Sequence, residues 1–240
     1  MRLIVTRPEP DATRTAHALI RLGHEAILSP MLDVVFDPRA AIPDRPYQAV
    51  AVTSSNAVRA LAERADDAVP RDLPLYAVGD RTAVEAKRVG FRNARSAGGA
   101  LPDLVSLLAA DLRPEAGPLL YAAGSAQAGD LAGDVQARGF EIETATVYRS
   151  TPRPRLAGVA IDALRSGNAD GVLVYSRRSA EAFAIAVAAA GLAPLAETVT
   201  LFCISAAAGE PLTELTAGRP AVAEEPDQIS LFALIERAAR

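Results

Sequence analysis

The 240-residue chain has one cysteine, one lysine, two histidines and no tryptophan. Cys203 alone cannot form an intrachain disulfide, so a reducing, cytoplasmic setting is expected. His17 and His24 have no cysteine or carboxylate cluster around them, so no metal site is expected. Both read as surface residues of a first helix and the turn after it. Aromatic residues make up 5% of the chain, too few for a base-stacking platform. The net charge is −4 without a basic run, which argues against a nucleic-acid footprint. The longest apolar stretch, AFAIAVAAAGLAP at 182–194, is too short and alanine-rich to span a bilayer. MRLIVTRPEP passes straight from a short apolar run to a turn, so no signal peptide is expected.

Motifs are missing too. There is no GxSxG elbow, no phosphate-binding loop and no GxGxxG after a strand. GVAIDALRSG at 158–167 is helical in pattern and lacks the glycine spacing. No histidine sits where a triad needs one, and no acidic cluster resembles a phosphoacceptor pocket. Asp80, Glu9 and Asp11 are scattered and read as helix-start residues. The expected chemistry therefore needs no strong base, metal or nucleotide.

Half of the residues are apolar, enough for one large domain or two small ones. Lys87 being the only lysine, arginine carries nearly all the positive charge, which suits carboxylate ligands because a guanidinium makes two parallel hydrogen bonds. LIVT at 3–6 reads as a buried strand. Ala12, Ala16, Leu19 and Ile20 then recur at helical spacing, Gly23 stops that helix, and EAILSP at 25–30 reads as the next strand. The alternation continues along the chain and predicts an α/β fold with parallel sheets.

The alternation hides a repeat. AVAVTSSNAVRAL at 49–61 aligns with GVLVYSRRSAEAF at 171–183, and LYAVGDRTAVEA at 75–86 with LFCISAAAGEPL at 201–212. LPDLVSLLAADL at 101–112 aligns with EPDQISLFALIE at 225–236, and 3–28 with 119–144. One copy is continuous and the other is split around it. The reading is one α/β domain, 38–147, inserted into another, 1–34 plus 151–240. The crossings fall near 31–38 and 145–152. Both are β-rich and end in proline-containing turns, so an antiparallel two-stranded hinge beside a cleft is expected.

In open α/β sheets the ligand site lies beyond the carboxyl ends of the strands. That rule selects Thr6 and Arg7; Ser54, Ser55 and Asn56; Gly79, Asp80, Arg81 and Thr82; Gly124 and Ser125; Ser176, Arg177, Arg178 and Ser179; and Ser205 and Ala206. These turns are small or hydroxyl-bearing and open helices, whose N-termini offer N–H groups and partial positive charge. Arg7, Arg81, Arg177 and Arg178 add full charges. Ordinary helix capping explains any one of these hydroxyls, including Thr53 and Ser54. The set as a whole suits a ligand with several anionic groups. Arg177 and Arg178 also fit a solvated pair. Tyr148 in the second crossing is the candidate general acid; a packed hinge tyrosine is the competing role.

Together these segments resemble the uroporphyrinogen-III synthase family. The resemblance runs through VTRPEPDA at 5–12, LGHEAILSPML at 22–32, VTSSNAVRAL at 52–61, YAVGDRTAVEAKRVGF at 76–91, ATVYRSTP at 145–152 and the serine turn at 174–179. It implies two flavodoxin-like domains joined by a two-stranded linker, with the active site between them. It implies that hydroxymethylbilane, a linear tetrapyrrole with eight carboxylates, loses water and closes to a ring while its last pyrrole is inverted, with no cofactor. By motif, Tyr148 is the general acid, Thr82 belongs to the glycine turn, Ser54 and Ser176 to the paired serine turns, and Arg7 to the early basic position. Ser55, Gly79, Gly124 and Arg177 complete the expected substrate-binding set. ISAAAG at 204–209 departs from the family pattern, since Ala208 stands where a hydroxyl is expected.

Two rivals remain open at this point. One is a non-catalytic module that binds a tetrapyrrole or another polyanion on the same fold. The other is a cofactor-using α/β enzyme, which the missing phosphate-loop patterns oppose. A monomer without nucleic-acid or membrane partners is expected.

Overall fold

A computed structural model describes residues 1–64, 68–127, 129–193, 198–215 and 220–240. In chain order the elements begin β1 (Arg2–Val5), α1 (Asp11–Arg21), β2 (Glu25–Leu28), β3 (Leu32–Phe36), β4 (Ala49–Val52), α2 (Ser55–Ala62), β5 (Leu75–Ala77) and α3 (Asp80–Arg88). They continue with β6 (Ala94–Ser96), α4 (Leu101–Asp111), β7 (Leu119–Gly124), α5 (Leu131–Gln136), β8 (Ile142–Pro152) and α6 (Gly158–Arg165). The last are β9 (Gly171–Val174), α7 (Arg177–Ala189), β10 (Thr200–Cys203), α8 (Ala206–Gly209), β11 (Ala221–Val222) and α9 (Gln228–Ala238). Among the described residues no helix is long and apolar enough to cross a membrane.

The chain divides into one unit of Met1–Asp33 with Thr151–Arg240 and a second of Val34–Ser150. The first unit holds a five-stranded sheet in the order β2-β1-β9-β10-β11, all pairs parallel. Counted along that unit's own chain the order is 2-1-3-4-5, the flavodoxin-like arrangement. The second unit's sheet runs β3-β8-β7-β4-β5-β6. If β7 and β8 are matched to β1 and β2, and β4, β5 and β6 to β9, β10 and β11, the two orders coincide. The second unit is thus a circular permutation of the first with β3 added at its edge. The repeat in the sequence pairs the same segments.

The central strands β1, β9, β4 and β7 are buried on both faces, which explains why they read as apolar runs. In the first unit Leu3, Val5, Leu173 and Phe202 pack on α1 and α9 through Leu19, Leu231 and Ile235. The opposite face packs Ile4, Val172 and Val174 on α6 and α7 through Leu164, Phe183 and Val187. In the second unit Val50 and Val52 face Val58 of α2 and Ala86 of α3, and Ala49 and Ala51 face Leu104, Leu108 and Val135 of α4 and α5.

The two crossings lie within β3 and β8, neighbours in one sheet. The Asp37 N–H donates to the Val147 carbonyl at 2.8 Å and the Arg153 N–H to the Met31 carbonyl at 2.8 Å. Residue numbers rise on one strand as they fall on the other, so the pairing is antiparallel.

Helix ends follow local chemistry. After α1 the Gly23 N–H donates to the Ile20 carbonyl and the His24 N–H to the Leu19 carbonyl, each at 3.0 Å, with Gly23 at φ +82°. That closure needs a left-handed residue, which glycine supplies without strain. Two sequence expectations for α1 fail. Ile20 lies outside the buried stripe and is 58% exposed. His24 is buried rather than on the surface, its Nε2 2.6 Å from Glu236 Oε1 and its Nδ1 3.3 Å from the N-terminal nitrogen. The turn after α1 ends beside the start of β1, where the Glu25 N–H donates to the Met1 carbonyl at 2.9 Å, and this brings the ring to the chain's start.

Cys203 closes β10 and is fully buried, and burial pushes its thiol up to about 12. The folded value exceeds the ordinary 9.0, so the stability this group lends is full below pH 9 and is lost between pH 9 and about 12. A protonated, enclosed thiol is a poor nucleophile. Native protein at pH 8 is expected to resist iodoacetamide, with labelling only after urea unfolding. Labelling of native protein at the unfolded rate would show that β10 is open.

Candidate active site

In each unit the strand order reverses at one place, between β1 and β9 and between β7 and β4. Such switch points open a crevice beyond the strand carboxyl ends. In the second unit β4 pairs with β7 through Val52 and Ala122 and with β5 through Val52 and Ala77. The next residue, Thr53, is half-buried, and its Oγ1 lies 3.2 Å from the Tyr121 hydroxyl of β7. Burial holds the Tyr121 phenol above the ordinary tyrosine value, with the Thr53 bond lowering it part of the way back and the Tyr148 phenol adding to the rise. Tyr121 therefore stays protonated at neutral pH.

Ser54 and Gly79 each come two residues after the last paired residues of β4 and β5, Val52 and Ala77. Ser54 is the N-cap of α2, its Oγ accepting the Asn56 N–H at 3.1 Å. Ser55 is buried, and its Oγ lies 3.4 Å from Thr82 Oγ1, also buried. Gly79 is the N-cap of α3, and no side chain caps that helix. A Cβ at Gly79 would meet no atom within 4 Å, so the fold leaves room at this position. Uncapped first-turn N–H groups beside open space suit an approaching carboxylate.

Tyr148 owes its place to an irregularity in β8. Ala123 of β7 is level with Thr146, but Gly124 is level with Tyr148, so the register skips Val147. Such a bulge re-aims the side chains that follow it. Here it carries the half-buried Tyr148 ring over Gly124. A Cβ on Gly124 would lie 2.5 Å from Tyr148 Cζ and 2.7 Å from its hydroxyl. The Ser125 N–H donates to the Tyr148 carbonyl at 3.0 Å and holds the bulge. Gly124 is thus a seat for the ring.

At the first unit's switch point the buried Thr6 hydroxyl donates to the Leu173 carbonyl at 2.6 Å. Arg7 is 5% exposed, its guanidinium stacked over the Tyr175 ring at 4.0 Å. It donates to Thr15 Oγ1 and Gln228 Oε1, both at 3.2 Å, and its Nη2 lies 3.8 Å from Asp11 Oδ2. Burial raises the Tyr175 phenol, and the Arg7 charge opposes that rise. The Tyr175 hydroxyl is buried near Thr15 and Arg7 without a hydrogen bond of good geometry.

Ser176 is the N-cap of α7, accepting the Ser179 N–H at 3.2 Å. Arg177 is exposed and bridges Glu181 at 3.0 Å and Glu210 at 2.5 Å. Ala208 donates its N–H to Ser205 Oγ at 3.3 Å, which caps α8.

Of the residues expected from sequence, Gly124 ends β7, Ser54, Ser55, Gly79 and Thr82 lie in the turns and first helical turns after β4 and β5, and Tyr148 lies within β8 level with Gly124; Arg7, Ser176 and Arg177 follow β1 and β9 of the first unit. Tyr121 is absent from the set the sequence suggests. It sits inside an apolar strand, and only the register of β7 on β4 reveals its partner.

The model of the family described as Uroporphyrinogen-III synthase HemD matches residues 13–233, nearly the whole chain. The chain belongs to this family. Two solved uroporphyrinogen-III synthases share the fold. That of Helicobacter pylori 26695 is 18% identical, with a TM-score of 0.64 over 100% of each chain. A mutant of the Thermus thermophilus enzyme is 19% identical, with a TM-score of 0.60 over 100% of this chain and 98% of that one. No curated protein sequence matches the chain. In this synthase-family member, Tyr148 lies over Gly124 at the end of β7, the strand whose Tyr121 meets Thr53 at the switch point.

Proposed function

We propose that the chain is a lyase of tetrapyrrole biosynthesis that converts hydroxymethylbilane to uroporphyrinogen III. The observation that carries this reading is the family match over residues 13–233. The strand-end chemistry supports it and suggests roles for individual groups.

The first step is loss of the substrate's terminal hydroxyl, driven by an electron-rich pyrrole. Tyr148 donates its phenolic proton to that hydroxyl, which leaves as water, while the pyrrole nitrogen supplies the electron pair. The substituted carbon of the last pyrrole then attacks the exposed methylene carbon, giving a spiro intermediate. That pyrrole carbon's bond to the preceding bridge breaks, the bridge carbon rejoins the ring at its free α-carbon, and the proton lost there returns to the Tyr148 phenolate, leaving the ring inverted. Simple end-to-end closure also occurs without an enzyme and leaves the ring uninverted. Catalysis therefore consists largely of holding the chain curled so that the substituted carbon is the nearer nucleophile.

The substrate's carboxylates explain the hydroxyl-rich turns. Ser54, Ser55, Gly79 and Thr82 offer hydroxyls and first-turn N–H groups on α2 and α3. Ser176 and Arg177 offer the same on α7, Arg177 by exchanging Glu210 for a substrate carboxylate. Arg7 is turned inward, so its contribution runs through the Tyr175 ring and the turn after β1. The reaction needs no cofactor, and we place it in the cytoplasm and in a monomer.

The test is turnover. Substoichiometric protein is expected to consume hydroxymethylbilane, generated in situ, many times over. Consumption that stops at one equivalent would identify a tetrapyrrole-binding protein instead.

A further inference from the structure

Helices α2 and α3 pack side by side, and their seam is polar where an apolar one would serve. Ser55 Oγ meets Thr82 Oγ1 at 3.4 Å, and Arg59 Nε meets Glu85 Oε1 at 2.7 Å. The Arg59 and Glu85 side chains are 7% and 6% exposed. Arg59 follows Ser55 by four residues and Glu85 follows Thr82 by three. On a helix those spacings share a face, so the two contacts are successive rungs about 5.4 Å apart.

The lower rung is well satisfied. Arg59 Nη1 donates to Asn56 Oδ1 at 3.0 Å, and Arg88 donates to both Glu85 oxygens, at 3.1 and 2.9 Å. Its neighbours Val58, Ala60 and Leu61 are fully buried, so an apolar pair would fit the surroundings. A buried ion pair seldom stabilises a fold more than well-packed apolar side chains of the same volume do. It differs in being directional: charge-assisted bonds hold distance and angle, whereas apolar contacts tolerate sliding.

We propose that Arg59 and Glu85 are positioning residues. They fix the separation of the α2 and α3 N-termini so that one substrate carboxylate fits between them. The carboxylate would meet the Ser55 and Thr82 hydroxyls and the first-turn N–H groups beside the open space at Gly79. The weak upper rung cannot hold that spacing alone. This inference rests on the proposed synthase activity for its ligand, but not for its geometry.

Removing one partner strands a buried charge and endangers the fold, so the decisive variant replaces both, Arg59→Met with Glu85→Leu. Its thermal midpoint is expected to match or exceed the wild type. Its KM for hydroxymethylbilane is expected to rise at least tenfold, with kcat within about threefold, because ground-state and transition-state binding are lost equally. A stable double variant with wild-type KM would overturn the proposal and leave the synthase reading intact.

Amide hydrogen exchange gives a readout that needs no substrate. The N–H groups of Ala57, Thr82 and Ala83, bonded to the Ser54 and Gly79 carbonyls, are expected to exchange at least tenfold faster in the double variant. Exchange in the second turns of α2 and α3 should not change. Unchanged first-turn exchange would overturn the proposal even if the wild type proved inactive, a result that would separately remove the synthase reading.

Discussion

Tyr148→Phe is expected to lower turnover by roughly 10²- to 10³-fold while leaving the thermal midpoint near the wild-type value, because a positioned general acid contributes about that much. The ring packs partly against the second unit's core, and phenylalanine keeps that packing. Gly124→Ala provides a second test through geometry alone. Its methyl would overlap the Tyr148 ring, the nearest contact being 2.5 Å, so the ring must move off its seat. Turnover should again fall, by about tenfold or more, with Tyr148 chemically intact. Wild-type kcat in Tyr148→Phe would remove the acid role. A normal Gly124→Ala enzyme would show that the seat does not matter.

Arg7→Ala is expected to cost about 3 kcal/mol of stability, because truncating one partner of a buried charged cluster leaves the other uncompensated. Asp11 loses its buried partner, Thr15 and Gln228 lose a donor, and the Tyr175 ring loses the cation at 4.0 Å from its centroid. Asp11 retains Arg14 at 3.4 Å, so the loss should fall short of the largest values seen for buried pairs. Urea unfolding checks the figure. A change below about 1 kcal/mol would mean that the cluster relaxes freely or takes up water.

The architecture could be read largely from the sequence because parallel strands buried on both faces leave apolar runs. The repeated order of strand, turn and helix could be followed even across a split copy. Strand-end hydroxyls were legible for the same reason, since a residue just past such a run has few other places to go. What depended on register was not legible. The skip at Val147 that carries Tyr148 to Gly124 leaves no trace in a β-rich string such as ATVYRS. Tyr121 meets Thr53 only because β7 lies beside β4, a neighbour relation between residues 68 positions apart. Arg59 meets Glu85 only where α3 brings it near, a neighbour relation that the string SSNAVRAL does not contain. The burial of His24 was equally hidden, because the turn that holds it is closed by Glu236, from the last helix.

Control of ring closure is the heart of the proposed activity, and the isomer formed tests it most directly. Hydroxymethylbilane is generated in situ, the protein is added in catalytic amount, and the oxidised products are separated into type I and type III uroporphyrins. Mostly type III is expected over many turnovers, with a shift towards type I in Tyr148→Phe as spontaneous closure overtakes the slowed enzyme. Type I alone, formed at the spontaneous rate with wild-type protein, would contradict the synthase reading.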